Sequence, residues 1–139
     1  LPQTTTTQPR HFMKPRSTRS MIVSTGLSRM ATLSASTWQY LGIGTGTSTV
    51  NLGDTALESS VLIKILGSGT ASLFTAYFKL TFSKTEGNSG SNITEIMLFD
   101  LSTGGNACFR TVASTNTWTA VSKTSTITMT ISTNLAWST

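Results

Sequence analysis

Three glycines in alternation, Gly42, Gly44 and Gly46, stand in WQYLGIGTGTSTVNLGDTAL (residues 38–57), followed by a Thr/Ser run and Asp54. Closely spaced glycines let a backbone wrap a phosphate, so a nucleotide site is the first chemistry to weigh. A dinucleotide fingerprint needs G-x-G-x-x-G where a strand turns into a helix, with an acid about 20 residues further on. The spacing here is G-x-G-x-G, and the residues that follow carry strand and turn signals. A P-loop needs Lys after its last Gly, and Thr47 stands there. These glycines therefore read as places in a β scaffold where another chain segment comes close or a strand bulges.

Other chemistry is thinly supplied. Serine and threonine make up about a third of the chain, but a hydroxyl nucleophile needs a base. The only histidine, His11, lies in the N-terminal segment. The only cysteine, Cys108, sits between Ala107 and Phe109 and reads as a small buried hydrophobe; no intrachain disulfide is possible. The acids are Asp54, Glu58, Glu86, Glu95 and Asp100. Glu95 and Asp100 border one predicted strand, and their odd separation puts them on opposite faces. Asp54 and Glu58 can approach in a turn. Acids this few read as turn and cap residues rather than an acid–base pair, and no metal-ligand cluster emerges. No catalytic, cofactor or metal site is expected, and the chain reads as a protein without enzymatic activity. Asn92-Ile93-Thr94 matches a glycosylation sequon, a triplet that also arises by chance.

The basic residues are placed more tellingly. Arg10, Lys14, Arg16, Arg19 and Arg29 fall in the first 29 residues, which hold no acid; beyond them five bases face five acids. Residues 1–20 also contain all three prolines. They predict an extended basic arm, with Arg10, Lys14, Arg16 and Arg19 as its partner-binding residues. Phe12 is the arm's one aromatic, too little for stacking along a single strand. An acidic protein surface and a phosphate backbone both fit its charge.

The elements around these residues are mostly strands. Residues 21–34 place Val23, Leu27, Met30 and Leu33 at helical spacing and predict a short helix capped near Ser20 or Ser24. Strands are predicted at 38–44 and at 59–66, the latter closed by a Gly-Ser-Gly turn. Residues 72–83 alternate cleanly, with Phe74, Ala76, Phe78, Leu80 and Phe82 on one face. Further strands follow at 93–100, 107–114 and 125–133, the last with Ile127, Met129 and Ile131 inward. The segments between are rich in Gly, Asn and Ser. About six short strands with turns between them predict an all-β fold, an antiparallel β-sandwich over 21–139 behind a 1–20 arm.

At 139 residues the chain suits one domain. Charged residues are 11% of it, against roughly 25% in average proteins. A surface polar through hydroxyls rather than mixed charge is weakly protected from self-association, which favours life packed against neighbours. No segment has the apolar length of a membrane span, and no apolar signal-peptide core stands at the start.

Four segments, in order, resemble a family of small structural proteins of tailed bacteriophages. MIVSTGLSRMATL (21–33) resembles its opening segment. YLGIGTGTSTVNLGDTAL (40–57) is similar to its IAIGTGT…DTAL pattern. ITEIMLFD…GG (93–105) resembles its ITEAGLFD…GG pattern, with Met97 where the family has Gly. FRTV (109–112) and TSTITMTIS (124–132) resemble its closing strands. The resemblance implies a virion component without enzyme activity or cofactor. The first expectation is a capsid decoration (cement) protein on the capsid surface, self-associated as a trimer and anchored by its arm to the major capsid protein or another virion protein. A tail-fibre or baseplate module is the alternative, with Trp38, Trp118 or Trp137 offered to host glycans. A small coat protein whose arm binds packaged nucleic acid is the third.

Overall fold

The computed structural model describes residues 21–138, so Arg10, Lys14, Arg16 and Arg19 lie outside the described residues. Among the described residues one helix, α1 (Ser24–Thr37), precedes nine strands: β1 (Tyr40–Gly44), β2 (Ser60–Ile65), β3 (Ser68–Ser72), β4 (Thr75–Phe82), β5 (Asn92–Ile93), β6 (Glu95–Phe99), β7 (Ala107–Val112), β8 (Val121–Ser122) and β9 (Met129–Ala136). All pairings are antiparallel. One sheet runs β2-β1-β6-β7, a second β3-β4-β9, and β5 pairs with β8. Among the described residues the fold is mostly antiparallel β with one short helix, as the alternation of residue types predicts. The helix is neither long nor apolar enough to cross a membrane.

The two larger sheets share one apolar cluster. Leu41 and Ile43 of β1 and Ile96 and Leu98 of β6 meet Ala76, Phe78, Leu80 and Phe82 of β4 and Met129 of β9. Period-two burial along β4 follows from its sequence. β6 is buried on both faces: Ile96 and Leu98 enter the shared cluster, while Met97 and Phe99 join Leu57 in a smaller one on the other side of the sheet. Met97 stands opposite Gly42 on β1, and a Cβ on Gly42 would lie 2.8 Å from Leu57 Cδ1. The missing side chain at Gly42 makes room for this second cluster.

Four expectations are corrected. The helix has Val23 as its N-cap, without a side-chain cap bond, and runs on to Thr37; it extends because Ala35 and Trp38 pack on the core. It buries Leu27 and Ala31, leaving Met30 and Leu33 exposed, because the predicted apolar stripe is wider than the side that meets β3 and β4. The Gly-Ser-Gly segment does not end at a turn but enters β3. Gly69 is needed there because a Cβ would stand 2.8 Å from the Ala35 carbonyl oxygen of α1. The last strand starts at Met129, not 125. Thr124 and Thr126 join through their hydroxyls and the Ile127 N–H donates to Thr124 O, so Ile127 sits exposed in a turn. The strand then follows β4 to its far end, Phe82 against Met129 and Thr75 against Ala136.

Candidate functional site

Between β1 and β2 the chain leaves the sheet at Gly44 and returns at Ser60. This loop crosses the outer face of the first sheet and is held there by one carboxylate. Glu95, at the start of β6, is fully buried. Its Oε2 accepts the Gly46 N–H (2.8 Å) and the Ser59 N–H (2.8 Å), and its Oε1 the Glu58 N–H (2.9 Å). Oε1 also accepts Arg110 Nε–H at 2.9 Å. Arg110 is on β7, on the outer face with Glu95 because it pairs with Met97 two residues on. Its Nη1 donates to Ser48 O (3.1 Å) and Asp54 Oδ2 (3.2 Å), both in the loop.

The alternate glycines follow from this arrangement. A Cβ on Gly44 would fall 2.5 Å from Glu95 Oε2 and from Ser59 O; one on Gly46 would fall 2.5 Å from Glu95 Oε2. The glycine-rich loop does cradle an anion through backbone N–H groups, but the anion is the protein's own Glu95. Burial alone would push this carboxyl up; the Ser59 and Glu58 N–H groups, the Arg110 guanidinium and the Gly46 N–H together hold it below its ordinary 4.5. It stays ionised and keeps its four donors.

The remaining acids hold the loop and the turns. Glu58 accepts the Thr47 and Ser48 N–H groups and the Ser48 hydroxyl, and these bonds lower its pKa. Asp54 caps the Asn51 N–H. Asp100 closes the β6–β7 turn by accepting Asn106 N–H at 2.6 Å and Nδ2–H at 3.0 Å. Glu86 pairs with Lys64 at 2.7 Å. Asp54 and Glu58 do share a loop, as their spacing allows. Glu95 and Arg110 were not singled out by sequence reasoning as a centre. The available signal was one acid and one base, each alone in a mostly apolar strand segment.

Among the described residues no three His, Cys, Asp or Glu side chains gather as a metal would require. Cys108 is half-buried, and burial pushes its thiol up, away from the reactive thiolate. Trp38, Trp118 and Trp137 are all half-buried and pack on the core; the Trp118 indole N–H donates to Thr111 Oγ1. None is a freely presented glycan platform. No protein-family model matches this chain, and neither does any curated protein or solved structure.

Proposed function

We propose that this chain is a virion structural protein: a capsid decoration protein of β-sandwich form that packs on the capsid lattice and on copies of itself, with residues 1–20 as its anchor. One observation carries the reading. Three of the segments that resemble the tailed-phage family, 40–57, 93–105 and 109–112, contribute Gly44, Gly46, Asp54, Glu95 and Arg110 to a single centre. The resemblance therefore falls on residues that hold the loop to the sheet, where a shared fold would be most constrained. The charge-poor, hydroxyl-rich composition supports life among neighbours, and the arm's cations suit an acidic protein surface. The role is mechanical, affinity coming from many weak contacts multiplied over a lattice.

Copy number per purified particle, measured by quantitative mass spectrometry against the major capsid protein, tests this. Near-stoichiometric abundance is expected, and deletion of residues 1–20 should abolish particle attachment while the circular dichroism of the β domain persists. A handful of copies would instead move the chain to the tail or baseplate.

A further inference from the structure

Four strands border the two larger sheets: β2 and β7 on one, β3 and β9 on the other. A free edge displays N–H and C=O groups that recruit another strand unless something blocks it. Three of these edges carry a block. β2 holds Lys64, whose ammonium donates to Thr81 O and Glu86. β3 lies against α1, with Ala35 O pressed toward Gly69. β7 carries Arg110, and the chain beyond it folds back so that Trp118 bonds Thr111. β9 carries none. Its eight residues, MTISTNLA, include no charge, Pro or Gly, and its register with β4 has no bulge. Among the described residues its backbone has no backbone partner outside β4.

The core is open on the same side. Ile131, Thr133 and Leu135 on the inner face of β9 are only half-buried, whereas their counterparts on β4 are buried. A cleft of about 310 Å³ runs beside them, walled by Phe109, Thr111, Trp118 and Ile131 among others. A strand added beside β9 would send alternate side chains into that cleft.

We propose that this edge is a self-interface, with β9 pairing antiparallel to β9 of a second copy. Antiparallel pairing of identical strands places a two-fold axis perpendicular to the sheet, and that axis keeps inner and outer faces distinct. Met129, Ile131, Thr133 and Leu135 of each copy then stand beside the same set in the other and fill the open cleft. Thr130, Ser132 and Asn134 meet their like on the outer face. Self-complementarity argues for a second copy: Thr130, Ser132 and Asn134 each can donate and accept, so each can pair with its like, and no like charges oppose along this neutral edge. Contact between identical edges is isologous and closes at two, doubling the three-stranded sheet. The inference rests on the self-association in the reading above and puts a two-fold pair in place of the trimer expected from the sequence.

The test is sedimentation equilibrium of the full chain at tens of micromolar, with native-state hydrogen exchange. The wild type should be a dimer whose outward β9 amides are protected. The Ser132→Glu/Asn134→Glu double variant should dimerise at least about tenfold more weakly and lose that protection. It should stay folded, because both positions are exposed and Ser132 faces Lys79 across the β4–β9 ladder. A wild-type monomer, a trimer, or a dimer indifferent to the double variant would overturn the proposal. If the variant does not fold, exchange on the wild type decides alone: unprotected outward amides overturn it. Neither readout uses the particle, so failure here is distinct from failure of the copy-number test.

Discussion

Glu95 shows how one side chain can take over a role that residue types suggest for a ligand. Its carboxylate meets three backbone N–H groups and a guanidinium, and no Cβ fits at Gly44 or Gly46 beside it. Gly44→Ala should therefore cost about 3 kcal/mol, at the upper end for forced overpacking. Gly53 lies in the same loop with nothing within 4 Å of an added Cβ, so Gly53→Ala should stay within about 0.5 kcal/mol of the wild type. Urea unfolding of both variants checks this, and equal costs would sink the steric account. Arg110 bears on the same centre: its Nη1 and Nε are engaged, while the buried Nη2 has no partner among the described residues. Removing Glu95 would leave that guanidinium in a dry site without its closest counter-charge.

At the scale of elements, the β3–β4 hairpin contains a local conflict. Ser72 pairs with Thr75, leaving Leu73 and Phe74 as the turn. Leu73 adopts φ +53° and is 78% exposed. A two-residue hairpin turn with positive φ at its first central position favours Gly there, and a branched side chain costs energy in that region. Leu73→Gly should raise stability by about 1 kcal/mol and Tm by a few degrees, read by thermal denaturation. An unchanged or lower Tm would show that Leu73 is held by contacts its exposure hides. The same hairpin explains why alternation located β4 but not β3: β3 carries small residues exposed along its length, so no hydrophobic period marks it.

For the molecule as a whole, pH is the sharpest probe. Glu58, Glu86 and Glu95 all have lowered pKa values. Glu86 is brought to about 2, first by its bond from Lys64 and then by the Ser83 N–H. A carboxyl whose folded pKa lies below its unfolded value contributes stability that is complete above the ordinary 4.5 and is lost as pH falls through the folded value. Stability should accordingly be level near neutrality and decline from about pH 4.5 toward pH 2. Thermal unfolding followed across that range should show the decline, and Glu95→Gln should flatten part of it. A Tm that holds constant to pH 2 would contradict the buried, ionised Glu95. Glu58 and Glu95 contribute to this acid response through the loop-to-sheet contacts and Glu86 through its pairing with Lys64 of β2; the buried residues of the shared apolar cluster carry no carboxyl.

Local pattern by itself predicted strands at 72–83 and 93–100, of which 75–82 and 95–99 form while Phe74 falls in a turn, together with the helical segment and the scaffold role of the alternate glycines. Each is legible because side chains repeat with the period of the backbone that carries them. What the glycines make room for was decided only in three dimensions: Gly44, Gly46, Asp54, Glu95 and Arg110 are brought together by pairing of β1 with β6 and of β6 with β7. Such contacts join residues up to 62 positions apart, and no local period encodes them. That β9 lies at an edge among the described strands is likewise a property of strand order, since MTISTNLA reads the same whether a neighbour lies on one side of it or on both.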